Sequence, residues 1–156
     1  MTRLYGRAPK GQRLVDKTPH GHWVNTTLVC GLKHDGIVVP HAFTGAMNKK
    51  RFLDYLKRHL LPVLKKGDVV IMDHLSSHKG KDVETLLASK GATVLYLPAY
   101  SPDLNPIELS FSKLKSVLRK VKICDVEKLK HFLRRSPKLF SKNECKNNLK
   151  HADYTV

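Results

Sequence analysis

Residues 68–73 read Asp68-Val69-Val70-Ile71-Met72-Asp73. Four apolar residues, two of them Val and one Ile, stand between two acids, which predicts a short buried strand in the middle of a sheet. Working outward, Lys79 to Lys90 reads as a helix stopped by Gly91, and Thr93 to Leu97 as a second buried strand. Upstream, Trp23 to Leu32 carries Val24, Thr26, Thr27, Leu28 and Val29, types that favour extended backbone. His34-Asp35-Gly36 is a tight turn, and Gly36 to Phe43 completes a hairpin. Asn48 to Leu64 is helical, with Phe52, Leu53, Leu56, Leu60 and Leu64 on one face, and Lys65-Lys66-Gly67 ends it. After the second buried strand come a long periodic helix within Ser101–Lys122 and a shorter one at Val126–Arg134. The order β, β, α, β, α, β, α, α implies an α/β fold with a mixed sheet. In such sheets ligands gather at the carboxyl ends of strands.

The chain has 156 residues, enough for one domain with a real core, and 41% of them are hydrophobic. No apolar run approaches the ~20 residues a bilayer demands, and Met1–Arg7 contains no apolar signal core. Cys30, Cys124 and Cys145 make neither a CxxC pair nor an even set, so a reducing cytoplasmic setting is the default. The formal net charge is +16. Residues 113–150 alone hold 13 Lys or Arg against Asp125, Glu127 and Glu144, a net of +10. Such density predicts a polyanionic partner, with nucleic acid the commonest. The division expected is a core over residues 1–135 and a basic tail over 136–156.

Two acids stand where chemistry is expected. Asp73 follows a buried strand, a poor place for packing and a good one for a metal or a reacting group. Glu108 opens the long helix. Asn105, Pro106 and Glu108 could together form its N-terminal cap, which would account for the acid without any function. The helix has two separable stripes, however. Ile107, Phe111, Leu114, Leu118 and Val121 are apolar. Beside them run Glu108, Ser112, Lys115, Arg119 and Lys122, one acid leading a basic ladder. Phosphate contacts leading away from a metal-bearing carboxylate would take this form, and a solvated face would tolerate it too. Lys49-Lys50-Arg51 and Lys57-Arg58-His59 on the first helix are further backbone-contact candidates or a solvated face. In Asp73-His74-Leu75-Ser76-Ser77-His78 the histidines have helical metal spacing. Zinc wants more ligands, so His74 is expected to line the acidic site and His78 to cap the next helix. Neither Asp16, in a polar loop, nor Asp35, in the hairpin turn, follows a buried strand. His20 and His22 lie in a loop without cysteines nearby, and Trp23 reads as core.

Asp73 and Glu108 are separated by 34 residues. With that spacing, VVIMDHLSSHKG followed by LYLPAYSPDLNPIELSFSKLK resembles the catalytic core of mariner-like DDE transposases, in their bacterial insertion-sequence branch. Ala99 is the small departure from that family's pattern. The resemblance extends over roughly Met1–Lys122. It implies a ribonuclease-H-like, retroviral-integrase-type fold. It implies DNA transposition by divalent-metal-dependent phosphodiester cleavage and strand transfer, in a prokaryotic, nucleoid-associated setting. Carried over by position, Asp73 would be the second catalytic acid and Glu108 the third, both holding Mg²⁺ or Mn²⁺, two ions in the complete family site.

The same resemblance implies that a first strand, ending in the first catalytic acid, lies upstream of Arg7-Ala8-Pro9-Lys10-Gly11 and is missing here. The family's DNA-reading helix-turn-helix region would be missing too. A fragment is therefore expected, with a gap in its sheet between the hairpin and the 68–73 strand. Self-association, or pairing with an upstream transposase segment, would follow from the open edges. The alternative is a non-catalytic remnant that binds DNA or interferes with full-length transposase.

Overall fold

The computed structural model describes residues 5–15 and 24–155. Asp16, His20, His22 and the Trp23 start of the first strand lie outside these. Strands β1 (Thr26–Lys33) and β2 (Gly36–Thr44) form the expected antiparallel hairpin, paired from Thr26↔Thr44 to Lys33↔Gly36 with a register shift between Val29 and Gly31. Strands β3 (Val69–Met72) and β4 (Thr93–Tyr96) pair in parallel from Val69↔Thr93 to Met72↔Tyr96. Between these two comes helix α2 (Lys81–Ala88). Among the described residues the strands therefore make two separate two-stranded sheets. No strand among the described residues lies between the hairpin and β3, and a gap separates the two sheets.

That gap changes the burial of β3. The sequence predicts a wholly buried strand, yet Val69 is 59% exposed, Val70 and Ile71 are half-buried, and only Met72 is enclosed. Leu95 on β4 is 50% exposed. A strand paired on one edge only leaves its other flank to the cleft. All eight residues of β1 are likewise half-buried.

The first helix is also less regular than its periodicity predicts. Asn48 caps α1 (Lys49–Tyr55) by accepting from the Arg51 amide at 2.9 Å. The coil then widens into a π turn at Leu56–Leu60 and tightens to a 3-10 turn at Leu61–Val63. Pro62 supplies the reason, since it has no N–H for the Arg58 carbonyl and its ring crowds that turn. Of the expected apolar face Phe52, Leu56 and Leu60 are buried and Leu53 and Leu64 half-buried against the core, while Tyr55 and Leu61 join them. Phe52, Tyr55, Leu56, Leu60 and Leu61 meet Met72 of β3 and Val83 and Leu87 of α2 in the larger core. The hairpin's Ala42 joins a smaller core with Leu114 and Leu118 of α3 (Ile107–Val121) and Leu133 of α4 (Val126–Arg134).

Residues beyond 135, read from sequence as a weakly patterned tail, contain a helix. Helix α5 (Lys142–His151) opens with a capping box between Ser141 and Glu144. Asn148 donates to the buried Ser110 hydroxyl of α3 at 3.0 Å. Past the helix, the Tyr154 hydroxyl donates to the Leu104 carbonyl at 2.9 Å, tying the chain's end to the loop before α3. Cys145 is fully buried here, Cys30 is half-buried on β1, and Cys124 is exposed, so none is paired. Burial pushes the Cys30 thiol up to about 12, which makes it a poor nucleophile.

Lys113 of α3 donates to both Glu144 and the Leu139 carbonyl, locking α5 to α3. That contact, helped by the Ser141 amide, holds the Glu144 carboxyl at about 2, below its ordinary 4.5. A depressed acid stabilises the fold above its unfolded value and loses that contribution as pH falls through the folded one. Helix α5 is expected to loosen between pH 4.5 and about 2. Amide exchange along α5 against pH checks this. Lys113→Met should move the Glu144 titration back toward 4.5.

Candidate active site

The gap between the sheets is a cleft of about 710 Å³. One wall is β1, from Thr27 to Lys33, and the opposite wall is β3. Asp73, Ser77 and His78 lie on its lining after β3, and Asn105 to Glu108 enter from the start of α3. At one end Lys33 bridges the walls, reaching Asp68 at 3.6 Å and the Val63 carbonyl at 3.4 Å. The Lys65 amide bonds Asp68 at 2.9 Å and, with Lys33 nearby, lowers its carboxyl below the usual range.

Asp73 and Glu108, the two acids singled out from sequence, are thus brought to one cleft by separate elements. Asp73 is half-buried at the carboxyl end of β3, and Glu108 is exposed in the first turn of α3. The capping role weighed for Glu108 is not what the structure shows. Pro106 precedes α3 without a side-chain cap bond, and the Glu108 amide goes to the Asn105 carbonyl at 3.1 Å. Its carboxylate is therefore not spent on the helix end. The capping box belongs to Ser141 and Glu144 instead.

His78 is the residue whose place the sequence reading missed. It does not cap α2, whose N-cap is Gly80 at φ +129°. Its ring Nδ1 bonds Asp73 Oδ1. The same ring stacks on the buried Phe52 with centroids 4.3 Å apart. Its carbonyl accepts from the Tyr96 hydroxyl at 3.1 Å. His74 is exposed and meets Tyr96 edge-on at 6.4 Å.

A metal must be judged by the donors available. Two carboxylates on one cleft suit a hard divalent cation that keeps most of its water. Among the described residues no group of three or more His, Cys, Asp and Glu gathers into a metal site. The described donors thus suit at most a carboxylate-and-water site and do not by themselves fit a two-ion site.

The basic candidates divide. Lys115 and Arg119 are exposed on α3 in line with Glu108, and Lys122 is half-buried at its left-handed C-cap. The neighbouring apolar stripe is shifted, for Ser110 is buried while Val121 is 49% exposed. On α1, Lys50 is exposed and Lys49 pairs with Asp82 at 3.1 Å. Arg51, though exposed, folds back along the surface onto the end of the hairpin. It donates to the Ala46 and Thr44 carbonyls at 2.9 and 3.2 Å and lies 4.9 Å over Phe43, wrapping Gly45.

Residues 1–130 match the family described as DDE superfamily endonuclease, and the chain belongs to it. Among the solved structures that it resembles are several of Mos1 transposase. A pre-cleavage Mos1 transpososome aligns at TM-score 0.76 and 16% identity over 98% of this chain and 49% of that one. The Mos1 strand transfer complex aligns at 0.75 and 19% identity, over 98% and 47%. The Mos1 catalytic domain with raltegravir and Mg aligns at 0.67 and 17% identity, over 83% and 78%. The fold is therefore that of the mariner catalytic domain, ribonuclease-H-like as expected. The chain spans about half the length of the transpososome subunits it matches. No curated protein matches it in sequence. No helix among the described residues is long and apolar enough to cross a membrane.

Proposed function

We propose that this chain is the greater part of a transposase catalytic core of the bacterial insertion-sequence branch. Its work is divalent-metal-dependent cleavage and joining of DNA. The observation that carries this reading is the meeting of Asp73 and Glu108 at one cleft inside the span that matches the endonuclease family. Asp73 and Glu108 hold the cation, Mg²⁺ or Mn²⁺. When bound, it polarises the phosphodiester and favours an attacking water or 3′-hydroxyl. The α3 ladder aligns the phosphate backbone beside the acids. An upstream segment fills the gap between β1 and β3 and adds the acid needed for a second ion.

The test is nicking of supercoiled DNA by the chain joined to the residues encoded just before Met1. Nicking that needs Mg²⁺ or Mn²⁺ and stops with EDTA supports the reading. Among the described residues no third acid gathers with Asp73 and Glu108, and that favours a second reading, a non-catalytic DNA-binding or transposase-interfering remnant. DNA binding without nicking by the joined protein would establish it instead.

DNA contact has a separate signature. Each phosphate neutralised contributes about 0.9 to the slope of log K against log salt. Lys115→Gln with Arg119→Gln is expected to lower that slope by about 1.8 if each meets one phosphate. Fluorescence anisotropy on a duplex across a salt series measures it, and an unchanged slope would remove the α3 ladder from the interface.

A further inference from the structure

We propose that His78 is the positioning residue for Asp73. This rests on the reading of Asp73 as a cation ligand and extends it to a residue with no ligand role of its own. An ionised carboxylate can only accept, so the Nδ1–H of His78 donates to Asp73 Oδ1. Both the neutral Nδ1–H tautomer and the imidazolium can make this bond. Among the described residues Asp73 has no other hydrogen-bond partner, so Oδ2 is left for a cation. Half-buried at a strand end, a carboxylate held by one oxygen has one remaining orientation to offer. A ligand fixed before the cation arrives loses less freedom on binding.

The histidine is itself held from three directions, its ring by one contact and its backbone by two. Phe52, 4% exposed, packs on its face. Tyr96, on the neighbouring strand β4, takes its carbonyl, and its amide bonds the Leu75 carbonyl at 3.0 Å. These contacts come from α1, from β4 and from the loop itself. The loop 74–80 lacks regular structure, and these contacts are what fix the histidine within it. A ring present only for packing would not need its Nδ1 aimed at the one acid on β3's carboxyl end.

The test uses three variants of this chain and Mn²⁺ followed by electron paramagnetic resonance. His78→Phe keeps a ring on Phe52 and removes the donor. His78→Asn puts a side-chain N–H near the place of Nδ1 and removes the ring. Asp73→Ala removes the proposed ligand. Loss of a residue that orients a metal ligand typically weakens binding 10- to 100-fold. Thus His78→Phe is expected to weaken Mn²⁺ binding at least about 10-fold while melting near the parent. His78→Asn is expected to bind Mn²⁺ close to the parent while melting lower. Should His78→Phe bind as the parent does, or His78→Asn bind as weakly as His78→Phe, the role is packing and the proposal fails. Ring-nitrogen NMR reads the bond without metal. A slowly exchanging Nδ1–H signal in the parent, absent from Asp73→Ala, supports the pairing, and its absence from the parent overturns it. If that signal is present but Asp73→Ala binds Mn²⁺ undiminished, the cation reading of Asp73 is what has failed.

Discussion

Asp73→Ala or Glu108→Ala is expected to abolish metal-dependent nicking by the strand-completed protein while leaving its DNA affinity nearly unchanged. The two effects separate because they arise on different surfaces. Affinity comes from charge, and the chain carries +16, with 13 basic residues in 113–150 alone. Removing one acid from a basic protein cannot weaken its attraction for phosphate and should slightly raise it. Nicking depends on charge stabilisation that the carboxylates make possible by holding the cation, worth several kcal/mol in enzymes of this type. At about 1.36 kcal/mol per decade, even 4 kcal/mol is roughly a 10³-fold loss. Neither substitution threatens the fold. Asp73 is half-buried with one partner, and Glu108 is exposed and spends no side-chain bond on its helix. Retained nicking in either variant would remove that acid from the reaction. Loss of binding together with nicking would mean the substitution had disturbed the fold.

The acids were legible because strand-end and helix-start positions follow from short local patterns. DVVIMD is apolar between charges, and the 34-residue spacing to Glu108 carried a family resemblance. Helix α4 spans Val126–Arg134, as its pattern predicts. Three features resisted. The pair His78–Asp73 sits five residues apart in an irregular loop, where no period relates side chains, so only the fold brings them together. Helix α5 reads KNECKNNLKH, and Cys145 is its single buried residue, too little for an apolar stripe. Its signal was the Ser141-x-x-Glu144 spacing, a capping box in plain view, while the same idea was weighed for Asn105 and Glu108. The folding back of Arg51 over Gly45, which stands at φ +97°, is a tertiary accommodation that a run of basic residues does not disclose.

Filling the cleft is expected to slow amide exchange along β1 and β3 by roughly 10²- to 10⁴-fold. Among the described residues each strand belongs to a two-stranded sheet, so each has one edge whose N–H and C=O groups lack strand partners there. Both strands line the same cleft, and their apolar side chains, Val29, Val70 and Ile71 among them, are only half-covered. An isolated two-stranded unit is marginal in water, whereas a strand paired on both edges is not. If an inserted strand buries two Val or Ile side chains, each contributes about 1.5–3 kcal/mol. The total of about 3–6 kcal/mol, at 1.4 kcal/mol per decade, gives the range above. The comparison is between this chain and the chain joined to the residues encoded just before Met1, read residue by residue by hydrogen exchange. Protection should rise on β1 and β3 and little on β4, which does not line the gap. The Cys30 thiol on β1 should become slower to react with a disulfide reagent in the joined protein. Uniform protection across all elements would mean general stabilisation. Unchanged exchange on β1 and β3 would mean that the upstream residues do not enter the gap. In that case the chain's two carboxylates would have to act without a third acid from that source, and the non-catalytic reading would gain by it.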